Sequence, residues 1–471
     1  MSETLLRPMP VTRRTSPEDA REIAIEAYHY LYPLVLMHIM RRVATNHPPG
    51  LRPGFGPEGR FHHIREYSAS GSRPVLDTLP SFAWLNLGKG PYVISIPETH
   101  DRYYSVTIYD MWSEVFASLG SHTLGSTAGN FAIVPPCWAG TLPSNVERME
   151  SPTMNVWVVA RTQTNGPKDY AAVHKVQDLY NMAPLSQWAR PSQALPFKID
   201  PAVDIDSAPL AQVAAMTPEA FFHYAANLLS VDEPHASDWS ILARLRRIGL
   251  ECHKPFHLKK APIAVQAALA IAMEQGPRQM ILNAPAIAPI ANGWQMNTEE
   301  VGTYGNSYLK RAITAMFEFG AVPPQDAVSL LNVATAEGVR PNGKEHYVLH
   351  FNAKELPPVH AFWSVTSYDH DGFPARSPLN RATIGNRDPL NYNSDGSLDI
   401  YVQRETPARD RVANWLPAPE GAMTLVMRLY APCSEVLDGR WTPPVLERVD
   451  NTAEENLPDE AHHLAAEIPR L

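Results

Sequence analysis

Cysteine is scarce in this chain of 471 residues, which also has neither an excess of positive charge nor a long apolar run. Its three cysteines, Cys137, Cys252 and Cys433, lie far apart and have no spacing typical of a zinc site or a redox pair. The net charge of −9 argues against a nucleic-acid partner. Because no stretch of about 18 uncharged apolar residues occurs, we expect no transmembrane helix and no membrane partner.

The N-terminal segment, residues 1–15, is polar and carries three arginines, so it lacks the apolar core of a secretory signal. Sparse cysteines are typical of a reducing compartment, where cysteine behaves as a small buried hydrophobe. We therefore expect a cytoplasmic location. A mature periplasmic protein that has lost its leader is the alternative.

Proline is unusually frequent, with 45 prolines against 25 glycines, which is about twice the usual proline share of roughly 5%. Proline is unfavourable inside helices and central strands. The composition therefore indicates many turns, sheet edges and ordered loops. It argues against an all-helical bundle and against a long, uniform parallel sheet.

Local patterns predict a helix, a set of strands, a set of helices and a second set of strands. Ser16 and Pro17 begin a helix that continues over 20–42, with Pro33 expected to bend or interrupt it. The Asp395-Gly396 pair predicts a hairpin turn, and no internal repeat of fixed period is evident. The other predicted helices are 169–180, 218–229, 238–248, 261–274 and 304–319. The predicted strands are 92–96, 102–109, 131–134, 155–160, 347–351, 361–368, 398–403 and 423–429.

This order predicts a mainly β protein of the α+β class, with two antiparallel β-domains and helices between them along the chain. The predicted segments are an N-terminal helix (1–47) and a first β-domain with a closing helix (48–185). A proline-rich linker and helical connector (186–335) and a second β-domain (336–471) follow. The linker is placed at 184–209, where proline and polar residues are concentrated.

Long ordered strings in both β-regions resemble two families of domains of unknown function, DUF1254 and DUF1214, in tandem. The first region carries the strings 77–79 (DTL), 84–91 (WLNLGKGP), 101–105 (DRYYS), 151–153 (SPT) and 161–163 (RTQ). The second carries 304–305 (YG), 346–351 (HYVLHF), 356–359 (LPPV), 362–364 (FWS), 368–369 (YD), 378–381 (PLNR), 384–387 (IGNR) and 414–419 (NWLPAP).

The resemblance implies two β-sandwich or jelly-roll-like domains joined by helices. Their pairing is similar in fold to peptide N-glycosidases, which cleave an amide between a glycan and asparagine, although fold does not imply function. The chain departs from the family pattern Asn-x-Asp-Thr-Leu-Tyr-Ser at Val75 and Pro80, where the asparagine and the tyrosine are missing. Many relatives also carry an export signal, which is absent here.

Each β-region ends one strand with a Tyr-Asp pair, at Tyr109-Asp110 and Tyr368-Asp369. Two carboxylates in different environments are the usual general acid and general base of a hydrolase. We therefore predict Asp110 and Asp369 as catalytic residues. The structural alternative is that both aspartates cap turns.

Polar and aromatic residues near these strands are the predicted ligand-binding groups. Arginine can bind a polar or anionic ligand through charge-assisted hydrogen bonds, and aromatic rings can line a sugar-binding cleft. The alternatives are a salt bridge for each arginine and core packing for each ring; Arg161, Arg311 and Arg381 are further candidate anion clamps. The predicted substrate-binding residues are Arg102, Tyr104, Trp112, Trp363, Tyr368 and Arg387.

The histidine pairs lack the spacing of a metal site, and no phosphate-binding glycine loop or serine-hydrolase elbow occurs. We therefore expect no metal and no cofactor.

The first hypothesis is a cofactor-independent hydrolase that acts on a glycan or amide-type small molecule in a cleft between the two β-domains. The alternatives are a non-catalytic binding protein for a carbohydrate or small ligand and a specialised tailoring enzyme. A homo-oligomer is compatible with the sequence.

Overall fold

Two compact units make up the computed structural model, which describes residues 15–67, 73–188, 190, 197–376, 379 and 381–449. The first unit contains the described residues up to Tyr67, together with Asp77–Ile287 and Thr298–Asp326. The second contains residues 73–76, Ala288–Asn297 and the described residues from Ala327 onward. Part of the predicted linker, residues 189 and 191–196, lies outside the described residues.

The N-terminal helix is confirmed, and the hydroxyl of its capping residue Ser16 accepts a hydrogen bond from the backbone N–H of Asp19 (3.1 Å). It continues through Pro33 without interruption. Within the described part of the chain, no helix combines the length and apolar character needed to cross a membrane. The helices are α1 (Pro17–Thr45), α2 (Ser121–Leu124), α3 (Tyr170–Leu179), α4 (Pro209–Ala214), α5 (Pro218–Leu228), α6 (Trp239–Arg247), α7 (Ile263–Asn283), α8 (Tyr308–Phe317) and α9 (Ser434–Leu437).

All eight predicted strands are confirmed within a few residues of their predicted ends. The strands of the first unit are β1 (His62–His63), β2 (Thr78–Asn86), β3 (Tyr92–Ile96), β4 (Tyr104–Tyr109), β5 (Val115–Gly120), β6 (Gly129–Val134), β7 (Glu147–Glu150), β8 (Asn155–Gln163) and β9 (Asn181–Pro184). Those of the second are β10 (Ile290–Ala291), β11 (Trp294–Met296), β12 (Ala327–Asn332), β13 (His346–Phe351), β14 (Val359–Tyr368), β15 (Thr383–Gly385), β16 (Leu398–Gln403), β17 (Trp415–Pro417), β18 (Thr424–Pro432) and β19 (Leu446–Val449).

The first unit pairs a five-stranded sheet, β1-β2-β8-β4-β5, with a four-stranded sheet, β7-β6-β3-β9. Alternate residues such as Leu85 and Val158 join strands of the smaller sheet in one apolar core. Residues of the other face, such as Trp84 and Trp157, share a core with helices α1 and α4–α8. Both faces of the larger sheet are therefore covered, and its central strands β4 and β8 are buried on both faces over residues 104–109 and 155–160.

The second unit pairs a six-stranded sheet, β10-β11-β12-β18-β14-β15, with a four-stranded sheet, β17-β16-β13-β19. Its core contains Val365 and Leu429 from the larger sheet and Leu349 and Ile400 from the smaller one. The mixed α+β class, with two sandwich-like pairs of sheets and a helical region between them along the chain, is thus confirmed.

The two units repeat one strand topology. The first unit's sheet orders recur in the second as β11-β12-β18-β14-β15 and β17-β16-β13-β19, and β10 is an added strand. The unusual parallel edge pair β6/β7 also recurs, as β16/β17. The repeat is not evident in the sequence, because the similarity is concentrated in one short segment: residues 104–110 read YSVTIYD and residues 363–369 read WSVTSYD.

Candidate functional site

A tight turn follows strand β4 in the first unit and fixes the carboxylate of Asp110. The backbone N–H of Asp110 donates to the carbonyl of Glu114 (2.9 Å), and Ser113 adopts a left-handed φ of 64°. Oδ1 of Asp110 accepts hydrogen bonds from the backbone N–H groups of Trp112 (2.8 Å) and Glu114 (3.1 Å). Asp110 therefore caps the turn with one oxygen, and its second oxygen, Oδ2, bonds a more distant residue.

That residue is His235, whose Nε2 lies 2.5 Å from Oδ2 of Asp110. A carboxylate only accepts hydrogen bonds, so Nε2 is the donor. The His235 side chain is 18% exposed and the Asp110 side chain 1%. Burial has the largest effect on the pKa of His235 and lowers it, but the hydrogen bond to Asp110 and the charges of Asp110 and Glu114 raise the pKa overall. The site therefore favours an imidazolium with one edge near solvent.

Asp238 lies beneath His235 and connects two helices to the site. Its carboxylate is fully buried and accepts hydrogen bonds from the hydroxyls of Tyr30 on α1 and Tyr308 on α8, both at 3.0 Å. It also accepts the backbone N–H of His235 (3.2 Å) and lies 3.8 Å from Nδ1 of that ring. Hydrogen bonds to a charged group contribute about 1.5–3 kcal/mol each, so Asp238 holds the backbone of His235 in place.

An ion pair between Glu114 and Arg311 borders the same turn. Nη1 of Arg311 donates to Oε1 of Glu114 (3.0 Å); the arginine side chain is fully buried and the glutamate is 14% exposed. Burial is the main cause of a raised pKa at Glu114, Arg311 opposes it and the charge of Asp110 adds to it. Two part-exposed titratable residues, Glu114 and His235, thus contact charged side chains that are buried: Asp110, Asp238 and Arg311.

Aromatic rings surround the guanidinium of Arg311. Its central carbon lies 5.3–5.4 Å from the ring centres of Tyr30, Trp112 and Tyr308, within cation–π range. Its Nε and Nη2 atoms have no hydrogen-bond partner within the described part of the chain. We call the whole group the His235 cluster: Tyr30, Asp110, Trp112, Glu114, His235, Asp238, Tyr308 and Arg311.

The loop between α5 and α6 carries His235 and is anchored at its start by Asp232. This buried carboxylate lies 2.7 Å from Nε2 of His38 on α1 and accepts the backbone and side-chain N–H groups of Asn155 on β8, both at 2.8 Å. The indole N–H of Trp112 donates to the carbonyl of Glu233 (3.0 Å). The loop is therefore held to helix α1 and to the five-stranded sheet on either side of His235.

A groove of about 490 Å³ reaches the His235 cluster through Tyr308. Glu26, His29, Asn306 and Lys310 also line it. Its volume falls within the range of small-ligand sites, about 300–1,000 Å³. Tyr308 thus contacts the groove and, through its hydroxyl, the carboxylate of Asp238.

Of the predicted site residues in the first unit, the structure brings together Asp110 and Trp112. Arg102 lies elsewhere: its guanidinium forms a bidentate pair with Asp169 (2.6 and 2.8 Å) and donates to the carbonyl of Gln163 (2.8 Å). Tyr104 is fully buried in the sandwich core, and its hydroxyl has no partner among the residues that the structure describes. The predicted binding roles of Arg102, Tyr104 and Trp112 stay predictions.

In the second unit, Asp369 forms the counterpart of the Asp110 turn. Its Oδ1 accepts the backbone N–H groups of Asp371 (3.0 Å) and Phe373 (2.9 Å), its own N–H donates to the carbonyl of Phe373 (2.8 Å), and Gly372 has a φ of 83°. The hydrogen-bond spacing is the same as at Asp110. Asp369 is part-exposed, however, whereas Asp110 is buried. The duplicated Tyr-Asp pair is thus a duplicated turn, and a catalytic role of either aspartate stays a prediction.

The other predicted residues of the second unit belong to its interior or its sheet edge. Tyr368 is fully buried and donates its hydroxyl proton to the carbonyl of Pro74 (2.6 Å). Trp363 is 2% exposed and packs in the core. The guanidinium of Arg387 lies 3.9 Å above the ring of Phe362. Contact of these residues with a ligand stays a prediction.

The expectation of no metal also stays a prediction. Asp369, His370 and Asp371 place potential ligand atoms within 4.8 Å of one another on the surface of the second unit. Asp369 already accepts two backbone hydrogen bonds, and exposed acidic groups commonly lie close together without an ion.

Sequence reasoning missed most members of the cluster and named one, Arg311, only as an anion clamp. His235 and Asp110 are separated by 125 residues, and Glu114 and Arg311 by 197. No short motif connects such distant residues. The one available signal was local: Glu114 lies four residues after Asp110, in the turn that follows the predicted strand 102–109. The missed residues are Tyr30, Glu114, His235, Asp238 and Tyr308.

Two family models match the chain: "Protein of unknown function (DUF1254)" over residues 59–184 and "Protein of unknown function (DUF1214)" over residues 326–434. Asp110 lies within the first matched region and Asp369 within the second. No curated protein matches the chain significantly.

Among solved structures, the chain is similar to the VPA0106 protein from Vibrio parahaemolyticus, with a TM-score of 0.71 and 22% sequence identity. The match covers 92% of this chain and 100% of that one. An uncharacterised protein from Burkholderia cenocepacia matches with a TM-score of 0.44 and 12% identity, covering 93% of this chain and 95% of that one. At this identity the Vibrio match establishes the fold alone.

Proposed function

The chain carries a DUF1254 domain and a DUF1214 domain in tandem, and we propose that it is a cofactor-independent hydrolase of a glycan or amide-type small molecule. His235 is the proposed proton-transfer residue. The observation that carries this proposal is the His235–Asp110 contact of 2.5 Å, at an imidazole that is 18% exposed and sits on a buried carboxylate.

A carboxylate behind an imidazole fixes the orientation of the ring and stabilises its charged form. The raised pKa of His235 keeps its ring protonated to a higher pH than that of a free imidazole, so that a proton is available for a leaving group. Nε2 is committed to Asp110, whereas Nδ1 lies 3.8 Å from the carboxylate of Asp238, beyond hydrogen-bond distance. The proposal therefore assigns proton exchange with the substrate to Nδ1. Hydrolysis then adds water across the cleaved bond, and His235 regains its proton from that water.

Asp110 is a positioning residue in this proposal, since its carboxylate is buried and bonded to two backbone N–H groups and to His235. Burial raises the pKa of Glu114, which is the other part-exposed titratable residue of the cluster beside His235. The predicted role of Asp369 as a separate acid or base is retained. Its own substitution tests it.

The test is turnover of a library of glycoconjugates and amides by the wild type and by single variants. His235→Gln should lower kcat by about 10²–10⁴-fold, the range of one general acid–base group. His350→Gln is the matched control, because His350 also contacts an aspartate, Asp399 (2.6 Å), but lies in the second unit. Unchanged turnover in His235→Gln rejects the proposed role, and unchanged turnover in Asp110→Ala and Asp369→Ala rejects theirs.

The cytoplasmic location is likewise proposed. The three cysteines are all free thiols, which supports a reducing compartment. Fractionation of native cells tests it: recovery with cytoplasmic markers is expected, and recovery with periplasmic markers would contradict it.

A further inference from the structure

A second groove, of about 510 Å³, lies in the first unit between the β3–β4 loop and helix α3. It shares no residue with the His235 cluster. Thr99, His100 and Asp101 form one wall, and Lys175 and Leu179 lie on the helix that forms the other. We call it the Thr99 groove.

We propose that the Thr99 groove binds an uncharged polyhydroxylated ligand, such as a mono- or disaccharide. The first observation is Thr99 itself, which lines the groove and is 3% exposed. Its hydroxyl has no hydrogen-bond partner among the described residues. A buried hydroxyl without a partner is unfavourable, and a ligand hydroxyl would supply the missing hydrogen bond.

The charges of the groove favour a neutral ligand. Arg102 is neutralised by its bidentate pair with Asp169 (2.6 and 2.8 Å). Of the remaining charged residues, Glu98 and Asp101 are acidic and Lys175 is basic. His100, also on this wall, lies 3.5 Å from Glu98. A phosphate would therefore face the carboxylates of Glu98 and Asp101 as well as the ammonium of Lys175, and the lining residues form no cluster of positive charge for an anion.

The helical wall supplies an apolar strip. Ala172, Val176 and Leu179 are spaced four and three residues apart, which places them on one face of α3. Leu179 is 62% exposed. Sugars combine hydroxyl groups with an apolar C–H face, and such a strip beside the polar loop presents complementary surfaces to both.

The polar wall is already fixed in position. Thr99 N–H donates to the carbonyl of Ser126 (3.0 Å), and Arg102 N–H donates to the carbonyl of Thr99 (3.1 Å). His100 and Asp101 both adopt left-handed φ values, 50° and 63°, a conformation in which histidine and aspartate are enriched among the non-glycine residues. The loop is therefore ordered before a ligand binds, so that binding does not lose the conformational entropy of ordering it.

Saturation-transfer NMR on the full chain tests the proposal with four named sugars: maltose, cellobiose, lactose and N,N′-diacetylchitobiose. At least one should bind, and Thr99→Val should weaken it about 5-fold, the loss of one neutral hydrogen bond. Leu179→Asp should weaken binding by at least a similar factor by removing the apolar contact. Thr141→Val and Leu51→Asp, at exposed positions of the same unit outside the groove, are the matched controls and should bind like the wild type.

Three results would overturn the proposal. One is no saturation transfer to any of the four sugars. Another is binding that neither Thr99→Val nor Leu179→Asp changes. The third is preferential binding of inorganic phosphate or putrescine, which are measured in parallel as anionic and cationic probes. Because Leu179 is on the surface, Leu179→Asp keeps the test decisive if Thr99→Val does not fold.

Discussion

At the scale of single residues, two histidines of the first unit, each in contact with a buried aspartate, have opposite electrostatic environments. The pKa of His235 is raised, since the hydrogen bond and charge of Asp110 outweigh burial. The pKa of His38 is lowered, because burial outweighs its contact with Asp232. Both rings contact an aspartate, but His38 is less exposed, at 6% against 18% for His235. The charges of Arg41 and Arg42 also lower the pKa of His38, whereas the charge of Glu114 raises that of His235.

This difference predicts opposite pH dependences of stability. A raised folded-state pKa gives a stabilisation that is complete below about pH 6.5 and is lost as pH rises through the folded value. The free energy of unfolding lost in His235→Gln should therefore be larger at about pH 5.5 than at about pH 8.5. For His38→Gln the loss should be larger at the higher pH. Chemical denaturation at both pH values measures this, and a pH-independent loss in His235→Gln would contradict the assignment.

At the scale of elements, helix α1 is the centre of the first unit's helical core. All of its residues from Ala27 to Ile39 are buried, so its apolar residues do not form the one-sided stripe of a surface helix. Helix α7 packs closely against it at Gly276, where an added Cβ would lie 2.3 Å from Cδ1 of Tyr28. Tyr30 and His38 on α1 then contact Asp238 and Asp232, so the position of α1 determines that of the His235 loop.

Gly276→Ala should therefore destabilise the protein, although alanine is the better helix former. Overpacking of this kind costs about 1–3 kcal/mol. The measurement is the free energy of unfolding, with Glu274→Ala on the exposed face of the same helix as the control, expected to change it by less than about 0.5 kcal/mol. A gain in stability in Gly276→Ala would show that the two helices can move apart freely.

At the scale of the whole molecule, one strand topology occurs twice, and its two Asp turns have diverged. Asp110 is buried and bonded to His235, whereas the equivalent Asp369 is part-exposed. Asparagine keeps a carbonyl oxygen that can accept the two backbone N–H groups of either turn. Substitution by asparagine therefore isolates what each aspartate does beyond capping its turn.

Asp369→Asn should cost at most about 1 kcal/mol of stability, since the cap remains. Asp110→Asn should cost about 2–4 kcal/mol, because it removes the charge that His235 bonds in a buried site. Equilibrium unfolding of the two variants, followed by tryptophan fluorescence, gives both values. Equal losses would mean that the His235 contact adds nothing to the turn.

The sequence was sufficient for features that depend on neighbouring residues. Alternating β-branched and aromatic residues located the strands, Ser16 and Pro17 located the start of α1, and aspartate after a strand indicated a capped turn. The Asp395-Gly396 pair shows the limit of such signals: a turn forms there, but β15 and β16 on either side pair with other strands, so no hairpin results. The His235 cluster depends on four distant segments, and only folding brings them together.

The most direct test of the account is the pH dependence of kcat/KM for wild type and Asp110→Asn on whichever library substrate is cleaved. If His235 donates the proton, the wild-type rate should fall as pH rises through its raised pKa. In Asp110→Asn that fall should move to lower pH, because the carboxylate that raises the pKa is gone. Superimposable profiles for the two proteins would contradict the central claim that Asp110 sets the protonation of His235.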